Sequence, residues 1–150
     1  MKGKILLFLF ILILLILGFF RTSSTLANAL LIKNDGEFCV YAYSDLGQKD
    51  VVECGELRII KSDASFINSL KADEFLGQSV KLKNFDLNRF IKENNIEIVS
   101  TENVENIEIY NCYHSILPKF VFVGNKRVNL QIAKTNELIK VGYPLILEGY

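Results

Sequence analysis

A chain of 150 residues with zero formal net charge and half of its residues apolar is sized for one domain around a single core. Lys2, Lys4 and Arg21 lie in or beside an apolar leader, and without them 14 basic residues face 17 acidic ones, a net charge of −3. That balance argues against nucleic acid as a partner, because such affinity rests on neutralising phosphates.

The leader is the run ILLFLFILILLILGFF, from Ile5 to Phe20, uncharged and preceded by Lys2 and Lys4. As a helix it would be roughly 24 Å long at about 1.5 Å per residue, short against a hydrocarbon core of about 30 Å. A thinned bilayer would accept it. The positive groups before it put the N-terminus in the cytoplasm and the rest of the chain outside. Two readings stand: a retained single-pass anchor, or a secretory signal cleaved near Ala29 in Ala27-Asn28-Ala29. The organisation that follows is 1–21 as anchor or signal, 22–36 as linker, and 37–150 as an extracytoplasmic α+β domain.

Residues 37–61 read as a hairpin. EFCVYAY is rich in aromatic and β-branched residues, Asp45-Leu46-Gly47-Gln48 is turn-like, and DVVECGELRII follows. A turn centred between Leu46 and Gly47 puts Tyr41 opposite Val52 and Cys39 opposite Cys54. That register makes Cys39–Cys54 a candidate disulfide, and one residue of slip removes it. The three cysteines form no CxxC pair, and with His114 as the only imidazole the usual four zinc ligands are missing, so neither metal nor cofactor is expected.

Asp63 is placed to cap a short helix in which Phe66, Ile67 and Leu70 share a face. SVKLKN alternates as a strand. Asp86 or Asn84 then caps a helix carrying Leu87, Phe90 and Ile91 inward and ending at Asn94-Asn95. IEIVS and NIEIYNCY read as strands on either side of a loop, 101–105. From Phe120 the pattern is a meander: FVFV, a turn at Gly124-Asn125, RVNLQIAK, a turn at Asn136-Glu137, and LIKVGYPLIL. The second turn sets Ile132 opposite Val141, Leu130 opposite Tyr143, and Val128 opposite Leu145, all apolar. Pro144 lacks an N–H and marks a ladder end.

Arg127-Val128-Asn129-Leu130-Gln131-Ile132-Ala133, then Val141-Gly142-Tyr143-Pro144, then Tyr150, resembles the C-terminal end of the YwmB family of Gram-positive bacteria. That family carries a basic residue, an N-L-Q-I-A run, a V-G-x-P run and a final Tyr. The likeness covers about the last 55 residues; the preceding IEIVSTENVENIEIYNCY is similar in strand rhythm. The resemblance implies an exported α+β protein with a TATA-box-binding-protein-like fold, a helix packed on a curved antiparallel sheet. It implies no catalytic residue.

Two motifs remain open to chemistry. Cys112 and His114 share a strand face, and a Cys/His pair is conceivable there, although no orienting third group stands at a readable spacing. Glu93, Glu97, Glu102, Glu105 and Glu108 form an acidic stretch without calcium-loop ligand order, so a solvated face is expected. Lys119, Lys126, Arg127, Lys134 and Lys140 make the meander basic. They suit an acidic protein, an anionic lipid headgroup or a wall polymer, or they complement the acidic stretch in cis. Asn129 and Gln131 are expected on the face opposite the core, where polar side chains would line a groove. The candidate interaction residues are Lys126, Arg127, Asn129 and Gln131, with Gly142 and Pro144 of the V-G-x-P run.

The expected function is a non-enzymatic binding or scaffolding module of the bacterial cell envelope, attached to the membrane through its leader. Its partner would be a protein or an anionic envelope component. The alternatives are a small envelope enzyme using Cys112 and His114, and a regulatory membrane protein that binds through the polar face of RVNLQIA.

Overall fold

The computed structural model describes residues 36–71 and 73–149. The run 5–20, the Ala27-Asn28-Ala29 site and Tyr150 lie outside them. Among the described residues no helix is long and apolar enough to cross a membrane.

The described chain is mainly antiparallel β-sheet with two short helices, an α+β arrangement. In chain order it runs β1 (Glu37–Ala42), β2 (Val51–Cys54), β3 (Leu57–Ser62), α1 (Ala64–Ser69), β4 (Gly77–Lys83) and α2 (Leu87–Glu93). Then come β5 (Glu97–Val104), β6 (Ile107–Tyr113), β7 (Val121–Val123), β8 (Lys126–Val128), β9 (Leu130–Lys134) and β10 (Leu138–Tyr143). Eight strands form one sheet in the order β2-β3-β1-β4-β10-β9-β6-β5, and β7 and β8 form a separate hairpin. β10 pairs with β4 on one side and β9 on the other, so it alone joins the two halves of the large sheet.

One row of side chains shows why this order is stable. Phe38, Val80, Val141, Ile132 and Tyr110 oppose one another across β1, β4, β10, β9 and β6. The first four are almost fully buried, each contributing about 2 kcal/mol relative to exposure. Both helices close over this face. In α1 the Asp63 carboxylate accepts from the Phe66 N–H at 2.8 Å and Ile67 is buried. In α2 Asp86 accepts from Arg89 N–H at 3.0 Å, and Leu87 and Phe90 are buried. Each cap is of a kind that stabilises by about 1 kcal/mol.

The N-terminal hairpin differs from the sequence reading. DVVECGELRII is two strands, because Gly55 at φ +63° opens a two-residue turn that sets Cys54 opposite Leu57. β3 is the more apolar of the pair and carries the fully buried Ile60, so it takes the place beside β1 and sends β2 to the edge. Cys39 therefore lies opposite Lys61 and Ser79, not Cys54. All three cysteines are free, with Cys54 exposed at the turn, so the candidate disulfide is not formed.

Two further differences concern the second half. β5 and β6 run on until Val104 faces Ile107, so the expected loop 101–105 shrinks to a tight turn with Glu105 at φ 56°. RVNLQIAK is interrupted at Asn129, where the chain leaves the β7–β8 hairpin and joins the large sheet. Ile132 opposes Val141 as expected. Val128 belongs to the other sheet and Leu145 lies beyond β10, so that expected pair does not form. β10 stops at Tyr143, immediately before Pro144.

Candidate functional site: a cleft on the open sheet face

Strand alternation turns Cys39, Tyr41, Ser79, Lys81, Lys140 and Gly142 to the face away from the helices. After β10 the chain turns back over this face. Its approach requires glycine at 142: a Cβ there would lie 2.6 Å from the Ile146 backbone nitrogen. The Gln131 Oε1 accepts from the Ile146 N–H at 3.1 Å, and Ile146 is buried against the sheet.

This return path delivers Glu148 to a cluster of buried polar groups. The Ser79 hydroxyl donates to Glu148 Oε1 at 2.7 Å, and the Lys140 ammonium lies 3.3 Å from the same oxygen. Lys140 also donates to the Gly149 carbonyl. The Lys140 side chain is 3% exposed and that of Glu148 15%. Burial alone would raise the Glu148 carboxyl. The Ser79 hydrogen bond, the Lys140 charge, and contacts from Tyr41 and Cys39 together hold it below its ordinary value. Burial, then the Glu148 charge, pushes the Cys39 thiol up to about 11. Burial also raises the Tyr41 hydroxyl, against a lowering contribution from Ser79.

The chemistry of this cluster is that of a structural clasp. A serine nucleophile needs a base to take its proton. Here Ser79 donates to the same carboxylate oxygen that the Lys140 ammonium pairs with, and the neighbouring thiol stays protonated. Beside the clasp opens a cleft of about 1030 Å³. Glu37 and Asp50 line it with negative charge, Lys61 and Lys81 with positive charge, and Val52 and Ile59 supply apolar surface between them. Lys81 and Glu37 stand 3.9 Å apart across the β1–β4 ladder.

The residues proposed from sequence do not converge. Lys126 and Arg127 are exposed on the β7–β8 hairpin. Asn129 is fully buried rather than groove-lining. Its Oδ1 accepts from the His114 N–H at 2.7 Å, and its Nδ2 donates to the carbonyls of His114 at 2.7 Å and Leu117 at 2.9 Å. It holds the connection from β6 to β7. Gln131 does lie on the open face, but its amide is taken up by Asn111 Oδ1 at 3.0 Å and by the returning tail. Gly142 is buried and Pro144 half-buried where the tail begins its return.

Cys112 sits in the core, and burial pushes its thiol up to about 12. His114 is buried too, and desolvation lowers its basicity against an opposing backbone hydrogen bond to Asn94. A thiolate–imidazolium pair needs the opposite shifts. The acidic stretch is partly complemented in cis, since Lys134 lies 3.0 Å from Glu108 and Arg89 2.7 Å from Glu93. Among the described residues no group of three or more His, Cys, Asp or Glu could hold a metal ion.

Sequence reasoning missed Glu148 and Ser79. The signal was present in the alternation of β10, which puts Lys140 and Gly142 on one face. The return of the chain after Pro144 is a long-range event with no local pattern. No family model matches the chain, no curated protein matches it, and no solved structure matches it.

Proposed function

We propose that the chain is an extracytoplasmic binding module of the bacterial cell envelope, tethered through the run 5–20, with the open-face cleft holding an extended protein segment of mixed charge. The observation that carries this reading is the cleft itself: paired acidic and basic rims, an apolar strip at Val52 and Ile59, and a floor closed by the Lys140–Glu148 clasp. An alternation of charge and apolar surface suits a peptide backbone flanked by side chains of both signs. Attachment to the membrane rests on the basic-then-apolar leader, and secretion after cleavage near Ala29 is its alternative. A YwmB-like relationship and a TATA-box-binding-protein-like form of the α+β domain belong to the same reading, supported by the N-L-Q-I-A and V-G-x-P runs. The Cys112/His114 enzyme has nothing to recommend it, because the thiol is buried and held protonated. A regulatory membrane protein would use the same cleft rather than RVNLQIA, whose Asn129 is engaged internally.

The test is site-specific crosslinking in the native host. A photoreactive side chain at Ile59 should give discrete protein adducts in the membrane fraction, lost when Lys61→Glu and Lys81→Glu reverse one rim. A folded, membrane-associated chain that gives no adduct at Ile59 sinks the cleft reading.

A further inference from the structure

The β7–β8 hairpin is separate from the large sheet and presents an unusual surface. Val121 opposes Val128, which is fully buried, so that face packs on the body of the domain. Phe122 opposes Arg127 on the outward face, and Phe122 is 64% exposed. Phe120 stacks edge-on with Phe122 at 5.5 Å and carries the Arg127 guanidinium over its ring at 4.7 Å. Val123, next to the turn on the other face of the hairpin, is exposed as well. Across residues 115–136 the sequence has Lys119, Lys126, Arg127 and Lys134 and no acidic residue, in a domain that is acidic as a whole.

We propose that this hairpin docks on an anionic lipid bilayer, with Phe122 and Val123 entering the boundary between headgroups and acyl chains and Lys126 and Arg127 meeting the headgroups. An exposed cluster of phenylalanines near the end of a hairpin is costly in water. An interfacial site removes that apolar surface from water while each basic residue gains from anionic lipid. Phenylalanine has no polar edge to satisfy, which fits an acyl environment better than a hydrated polymer. The proposal rests on the membrane tether proposed above, which keeps the hairpin near a bilayer at high effective concentration.

The topology adds an orientation. The β7–β8 hairpin follows the C-terminal end of β6, at the end of the sheet where Tyr41 pairs with Gly77. β1 begins at the other end, where Glu37 pairs with Lys81. The proposed docking hairpin and the proposed tether before β1 therefore lie at opposite ends of the sheet.

The chain has no tryptophan, so Phe122→Trp gives a reporter unique within it, read as the difference from the parent chain in the same discs. The full-length F122W chain is reconstituted in nanodiscs of phosphatidylglycerol or of phosphatidylcholine. In phosphatidylglycerol the emission should shift to the blue and be quenched by bromine on the acyl chains, and both effects should disappear in K126E/R127E. Co-elution of the chain with the disc reports the tether independently, so a failed anchor and a failed hairpin give different results. Water-like, unquenched emission from a disc-bound chain overturns the proposal. A spectral shift produced by a soluble anionic polymer and not by lipid also overturns it, in favour of a wall polymer.

Discussion

Lys140 and Glu148 are eight positions apart, yet Glu148 returns over the strand that carries Lys140 and places Oε1 3.3 Å from its ammonium. The lysine is almost completely buried, and its ammonium faces this carboxylate and the Gly149 carbonyl. Removing one member of such a pair leaves the other uncompensated, a loss of about 3 kcal/mol. Lys140→Ala should therefore lower the urea midpoint strongly. The double variant Lys140→Met with Glu148→Leu should recover most of the loss, because both charges leave together. A double variant no better than the single one would show that the clasp acts through packing alone.

Gly142→Ala should act on the same clasp without touching a charge. The added methyl would meet Ile146 backbone and side-chain atoms at 2.5–2.6 Å, too close for any rotamer to relieve. The returning segment must lift, and Glu148 goes with it. Proteolysis should then cut beyond residue 143 in the variant and spare the parent. Equal resistance of the two would remove the steric argument.

Acid should weaken the domain in two steps of one sign. His114 has its folded-state basicity lowered by burial, so below its ordinary value near 6.5 the unfolded chain takes up a proton that the folded chain refuses. Its contribution is intact above that pH and is lost on descent towards the folded value. Glu148 is also lowered, so its contribution holds above the ordinary carboxylate range and fails as pH falls through its folded value. Urea unfolding at pH 7.5 and 5.5 should show a loss of stability that His114→Gln abolishes. An unchanged loss in that variant would assign the acid sensitivity elsewhere.

Asn129→Ala should cost about 2–3 kcal/mol, because it strips three hydrogen bonds from the buried turn between β6 and β7 and orphans the His114 amide. The change is read by thermal or urea unfolding of the full chain. A loss below about 0.5 kcal/mol, the range of ordinary surface substitutions, would remove Asn129 from that role.

Thiol labelling checks the register of the first half. One thiol, exposed Cys54, should label rapidly in the native protein, and all three should label in urea. A count of one in urea would restore a disulfide and overturn the pairing of β1 with β3.

Much of this fold was legible where local pattern and turn chemistry agree. The cap at Asp86 with Leu87 and Phe90 behind it, the Gly124-Asn125 hairpin, and the Ile132–Val141 pairing all follow from short-range rules. The failures lie where two local solutions compete. Leu46-Gly47 and Gly55-Glu56 are both turn signals, and burial of Ile60 decides that β1 pairs with β3. The site was less legible than the fold. Asn129 looks like a surface residue in a strand of alternating character, and only its position between two sheets makes it a buried clamp. Lys140, Ser79 and Glu148 meet through ladder order and a returning tail, neither of which leaves a mark on neighbouring residues.

The central place of β10 has a consequence for how the protein is made. The first four strands and the trio β5, β6 and β9 share no ladder until residues 138–143 arrive between them. During synthesis, the two halves must wait as separate, incomplete sheets with open edges at β4 and β9. Completion is therefore a late event, and the interval before it is when the chain is most exposed to mispairing and most in need of a chaperone.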